Sequence, residues 1–79
     1  MAGDHADIEP LLRGLEVQAA PLINATVRGG AELPVHDLAM DRLEQALIRA
    51  ALAETDGNQV AAARLLGISR STLRSKLPD

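Results

Sequence analysis

Gly57-Asn58-Gln59-Val60-Ala61-Ala62-Ala63-Arg64-Leu65-Leu66-Gly67-Ile68-Ser69-Arg70-Ser71-Thr72-Leu73-Arg74-Ser75-Lys76-Leu77 is the stretch on which the reading of this chain turns. It holds two short helices and a tight turn. Asn58 is placed to cap the first, the alanines and leucines through Leu66 propagate it, and Gly67 stands where a residue of positive φ must end it. Ser69 then caps a second helix from Arg70 to about Leu77. Two helices crossing steeply over a turn of three or four residues need small side chains where they touch. Ala62 and Ala63 supply them, while Leu66, Ile68, Leu73 and Leu77 are the apolar positions expected to lock the second helix down. Leu73 and Leu77 are four apart and share one face. Arg70, Ser71, Arg74 and Ser75 are left on the other, flanked by Thr72 and Lys76.

Working outward, the charge is divided along the chain. The net charge is −3, yet residues 1–56 carry ten acidic and four basic side chains, and residues 57–79 carry Arg64, Arg70, Arg74 and Lys76 against Asp79 alone. Only a surface that faces phosphates has to be basic, so one basic element on an acidic chain fits a nucleic-acid footprint. The plainer reading of the charge alone is a short solvated basic helix face. With no aromatic residue there is no platform for stacking bases, which argues against single-strand binding through aromatic side chains. Arginine forks match a guanine edge, Ser and Thr can donate or accept, and the Thr72 methyl can pack on a thymine methyl. Ser69 and the backbone N–H groups behind it suit a phosphate, as do Arg64 and Lys76.

Before this stretch lie two longer amphipathic segments. Ile8, Leu11, Leu12, Leu15, Ala19, Leu22, Ile23 and Val27 recur at intervals of three and four, which predicts a helix over about Asp7 to Arg28. Pro10 fits its first turn, Pro21 does not, and a kink or break is expected near Val17 to Ala20. Gly29-Gly30 stops it, Ala31 to His36 reads as a loop, and Asp37 is the expected N-cap of a helix over Leu38 to Glu54. That helix is apolar around much of its circumference and wants neighbours on more than one side. With 79 residues and no cysteine, neither a disulfide nor a thiolate zinc site can reinforce so small a domain. A homodimer is the expected remedy, with Leu11, Leu12, Leu15, Leu22, Ile23, Leu43, Leu47 and Ala51 at its interface.

Gly57-Asn58-Gln59, Ala62-Ala63, Leu66-Gly67-Ile68, Arg70, Thr72-Leu73-Arg74 and Lys76-Leu77 together closely resemble the C-terminal helix-turn-helix DNA-binding domain shared by Fis and the NtrC-type transcriptional activators. The resemblance implies an all-α, four-helix Fis-like domain in which two N-terminal helices form a dimeric bundle ahead of the C-terminal helix-turn-helix. Carried over residue by residue, it places Asn58, Ser69, Arg70, Thr72, Arg74 and Lys76 on DNA. To these the residue pattern adds Arg64, Ser71 and Ser75. Val60 and Ser75 depart from the family pattern where a hydroxyl and a basic side chain are common, implying weaker or more salt-sensitive binding.

The expected organisation is a tail or linker over 1–6, a dimerisation region over 7–55 and a DNA-binding region over 56–79. No enzyme is expected: His5 and His36 are isolated, no carboxylate pair is patterned for catalysis, and Asp4, His5 and Asp7 have no metal-ligand spacing. No cofactor is expected either, and Met40 and the alanine runs read as core. A pure protein-interaction module is the rival reading, against which stands the acid-free basic run from Gly57 to Leu77. Nothing in the sequence suggests a membrane span or a signal peptide, so the expected location is the bacterial cytoplasm, on the nucleoid. The chain holds no receiver domain and no GxxxxGK[ST] loop. Between a free-standing Fis-like protein and the DNA-binding end of an NtrC-type activator with regulatory and ATPase domains, two features favour the activator. The tail Met1 to Asp7 reads as an expression start or a linker remnant, and the acidic first helix resembles activator domains at least as well as Fis.

Overall fold

The computed structural model describes residues 6–30 and 32–78. Within them the chain is helical: α1 (Glu9–Val17), α2 (Ala19–Gly29), α3 (Val35–Glu54), α4 (Gln59–Leu66) and α5 (Arg70–Lys76). They fall into two compact units, one ending at Val35 and the other beginning at His36. Most of the expected tail, with Asp4 and His5, lies outside the described residues, as do Ala31 and Asp79.

In the first unit the predicted long helix is two. α1 hands over to α2 at Gln18, whose N–H reaches back to the Leu15 carbonyl at 3.2 Å, a tightened last turn. The break has a physical reason. A continuous helix would need the N–H that Pro21 lacks, whereas a helix restarting at Ala19 puts Pro21 in its first turn, where no N–H is called for. Gly30, at φ 71°, closes α2 in the left-handed conformation that glycine adopts at little cost. Neither helix buries a residue.

α3 begins earlier than the sequence suggested. Val35 and His36 are helical and Asp37 is not the N-cap. Pro34, immediately before the helix, presets a helical φ at the chain's entry, and Asp37 falls in the first turn, where its charge favours the positive end of the helix dipole. Its carboxylate faces His36 Nδ1 at 3.3 Å. At the other end, Asp56 (φ 54°) and Gly57 (φ 85°) reverse the chain. The Gly57 N–H donates to the Leu52 carbonyl at 2.8 Å, and the Thr55 hydroxyl lies 2.9 Å from the Ala51 carbonyl and 3.1 Å from that of Asn58. The carbonyls freed at the end of α3 are thereby taken up within the turn.

The second unit has a core. Ile48 and Ala51 of α3, Ala62 and Ala63 of α4 and Leu73 of α5 are buried together, with Leu52, Leu66 and Leu77 packed against them. Ala62 and Leu73 are 0 % exposed. The two alanines allow the close approach that the turn between α4 and α5 demands, and Leu73 is the knob that α5 drives into the gap. Ala51, expected at a dimer interface, is 4 % exposed within this one chain. Within this chain its side chain is taken up by the core it shares with α4 and α5. Ile68 also departs from expectation: rather than entering the core it is over a third exposed and edges an open groove of about 530 Å³, shared with Met40, Leu43, Leu47 and Leu66.

Candidate nucleic-acid interface

The site is built on α4, the turn Gly67-Ile68-Ser69 and α5. Asn58, extended at φ −76° and ψ 104°, accepts the Ala61 N–H on Oδ1 at 3.0 Å and so opens α4. Gly67 ends it at φ 76°, its N–H donating to the Arg64 carbonyl and that of Ile68 to the Ala63 carbonyl, at 3.1 and 3.0 Å. This paired bonding is how a left-handed residue closes a helix while turning the chain sharply. Two residues later Ser69 accepts the Thr72 N–H on Oγ at 3.1 Å and donates to Thr72 Oγ1 at 2.8 Å, opening α5. The cap sets where α5 starts, Leu73 is its buried residue, and Arg70 and Arg74 are both exposed.

All nine residues singled out from the sequence, Asn58, Arg64, Ser69, Arg70, Ser71, Thr72, Arg74, Ser75 and Lys76, are exposed. They are not equivalent. Asn58 and Ser69 are engaged as caps, and the Ser75 hydroxyl donates back to the Thr72 carbonyl at 2.7 Å. Ser71 Oγ lies 3.3 Å from Ser69 Oγ. Lys76 Nζ is 3.4 Å from Glu44 Oε1. Among the described residues, Arg64, Arg70 and Arg74 alone of this set make no side-chain hydrogen bond or ion pair within the chain. Arg70 and Arg74 sit one turn apart on the outer face of α5, and Arg64 lies in the last turn of α4, where a cation also complements the helix dipole. Three unpartnered guanidinium groups on adjoining elements, each with donors in a planar fork, suit a planar or anionic acceptor supplied from outside.

Sequence reasoning passed over Glu44 and Gln45. Gln45 Nε2 donates to the Lys76 carbonyl at 3.0 Å across 31 residues of sequence. No local pattern announces a contact so distant along the chain.

Two short capped helices about a three-residue glycine turn, carried on a longer helix and presenting an arginine face, define a helix-turn-helix protein. The family described as bacterial regulatory protein, Fis family, matches residues 39–78, and the chain belongs to it. Residues 39–78 take in most of α3 and all of α4 and α5. Among its relatives, the DNA-binding transcriptional regulator NtrC of Azospirillum brasilense is 44 % identical over 45 residues, 57 % of this chain and 9 % of that protein. The NtrC of Rhizobium meliloti is 49 % identical over 45 residues, again 57 % of this chain and 9 % of the relative. The DNA-binding protein Fis of Buchnera aphidicola subsp. Acyrthosiphon pisum (strain 5A) is 51 % identical over 43 residues, 54 % of this chain and 44 % of that protein. The matched segment thus spans less than half the length of each of these relatives. No solved structure matches the chain.

Proposed function

We propose that this chain binds double-stranded DNA in a sequence-specific manner, as a homodimer, and serves bacterial transcription regulation as the DNA-binding end of an NtrC-type activator. The observation that carries the DNA-binding reading is the outer face of α5, where Arg70 and Arg74 stand exposed and unpartnered on a helix held by its own cap and by Leu73. Such a helix enters the major groove by its N-terminal part, and each arginine can bond the two acceptors of a guanine edge. Arg64 and Lys76 lie on the flanks, where contacts to phosphates position without reading. Family membership and the printed functions of the NtrC and Fis relatives support the same reading. They also favour a regulator over an enzyme.

The dimer is supported by surface that the chain leaves uncovered. Leu11, Leu12, Leu15, Leu22, Ile23 and Leu47 are exposed, and Leu43 is only half-buried. Apolar surface on this scale in so small a chain is covered at low cost by a second copy. A dimerisation region within 7–55 and a DNA-reading region within 56–79 then divide the labour, and the two copies of α5 meet successive major-groove segments about one helical turn, ~34 Å, apart. If the two helices stand closer than that, the duplex has to bend to meet both.

The acidic character of residues 1–56 and the NtrC relatives support the activator reading, in which regulatory and ATPase functions belong to other domains of a longer protein. No described helix is long and apolar enough to cross a membrane. Selection of sites from a random duplex pool tests the proposal. A two-fold symmetric motif bound with steep salt dependence is the expected result, and recovery of no motif defeats sequence-specific binding. Strong bending of circularly permuted fragments by this chain alone would favour a free-standing Fis-like role over the activator.

A further inference from the structure

α5 has seven residues, and the last four carbonyls of any helix lack intrahelical partners. In a helix this short, that is most of them. The Lys76 carbonyl nevertheless has a protein partner, because the Gln45 amide, from the middle of α3, donates to it at 3.0 Å in a solvent-exposed position. The neighbouring Glu44 holds the Lys76 ammonium at 3.4 Å, with both side chains 42 % exposed. Two adjacent residues of α3 therefore grip one residue of α5, the first by its main chain and the second by its side chain.

The rest of the join between α3 and α5 is apolar, through Ile48, Ala51 and Leu73 with Leu52 and Leu77 packed against them. Apolar contact is non-directional and tolerates small slides and rotations. A hydrogen bond to the main chain does not, since it weakens steeply with distance and angle. The N-terminal end of α5 is fixed by the Gly67 turn and the Ser69 cap; at the other end Leu77 packs against the core, and the Gln45 bond adds the directional contact to the main chain. The Glu44 to Lys76 pair is half-exposed, and such pairs add little to stability. Its consequence is where it holds the helix rather than how strongly.

We propose that Gln45, assisted by Glu44, is a positioning residue for DNA reading: it hangs the C-terminal end of α5 from α3 and so holds Arg70 and Arg74 in register with base edges. This rests on the DNA-binding reading and extends it to residues outside the helix-turn-helix. Base readout depends on the placement of an arginine fork to a fraction of an ångström, whereas attraction to phosphates does not, so loss of the tether separates the two.

The test compares the whole chain with Gln45→Met, which keeps length and helix propensity but loses the donor, and with Gln45→Lys, which restores a donor. Affinity is measured on the selected duplex and on a scrambled one across a salt series, with thermal melting alongside. The expected result for Gln45→Met is a loss of about fivefold to tenfold on the selected duplex, the size of one hydrogen bond, with the scrambled duplex and the salt slope unchanged. Gln45→Lys should restore most of the selected-to-scrambled ratio, a quantity to which its added charge contributes little. An unchanged ratio in Gln45→Met overturns the inference, and so does an equal loss on both duplexes. Should Gln45→Met fail to fold, Gln45→Asn, which keeps the amide on a stem one methylene shorter, is read by the same ratio and the same two outcomes. If the unaltered chain shows no preference between the duplexes, the sequence-specific reading itself fails, and this inference with it.

Discussion

The unit that ends at Val35 and the one that begins at His36 draw on the same aliphatic side chains and reach opposite ends. α1 and α2 carry a regular apolar stripe and bury nothing, while α3, α4 and α5 bury five residues together. Periodicity is not what separates them, since the stripe of α1 and α2 is the cleaner of the two. The difference is in the turns. Between α1 and α2 the single residue Gln18 stays in the right-handed helical region, and the chain does not reverse there. Between α3 and α4, and again between α4 and α5, residues of positive φ at Asp56, Gly57 and Gly67 break the direction and bring faces together. A stripe of leucines makes a helix that needs a partner, and a left-handed turn beside a pair of alanines supplies one from the same chain.

The contrast can be broken most directly at Leu73. Truncation to alanine empties a fully buried position, and the second unit should lose about 2–5 kcal/mol, read by urea unfolding followed by circular dichroism. Leu11→Ala on α1 removes the same atoms from an exposed position and should leave the unfolding of a dilute monomer unchanged. The proposed dimer sharpens the point. Leu15→Glu combined with Ile23→Glu should abolish association in sedimentation equilibrium at micromolar concentration while sparing the core of α3, α4 and α5. A chain that is already a folded monomer before substitution would refute the dimer.

Smaller effects are expected at the arginine face. Alanine at Arg70 or Arg74 should cost about 1–3 kcal/mol of affinity per subunit for a base contact, with relaxed preference at one position and no change in melting. Alanine at both that left binding to a selected site unaltered would defeat their assignment. At Gly67, φ of 76° in open space makes the backbone itself the obstacle. Gly67→Ala should destabilise the second unit by roughly 1–2 kcal/mol, and Gly67→Asn by less, because Asn visits the left-handed region more readily. Least of all, Ser69→Ala should remove about 1 kcal/mol as the Thr72 N–H loses its acceptor.

Much of this was legible in the residues themselves. Asn58, Gly67 and Ser69 do what their types dictate, because a cap or a left-handed closure is decided within four residues by hydrogen bonds to the local backbone. The alanine pair and Leu73 follow from them, and with these the outward face of α5. The interruption near Gln18 was legible from Pro21 for the same reason. The start of α3 was misread because two local signals compete there. Asp37 is the stronger capping type, yet Pro34 had already set the helical entry three residues earlier.

The sequence by itself determined which segments are helical, how α4 and α5 are capped and joined, and which side chains α5 turns outward, since each depends on neighbours a turn or two away. Only the tertiary structure decided which side of α3 is spent. A helix apolar around its circumference offers several equivalent faces, and periodicity does not rank them. Packing chose the side with Ile48 and Ala51 for α4 and α5, and left Met40, Leu43 and Leu47 along an open groove. It also brought Gln45 to the Lys76 carbonyl. A contact across 31 residues is set by the geometry of two intervening turns, and that geometry leaves no mark on the residues at either end.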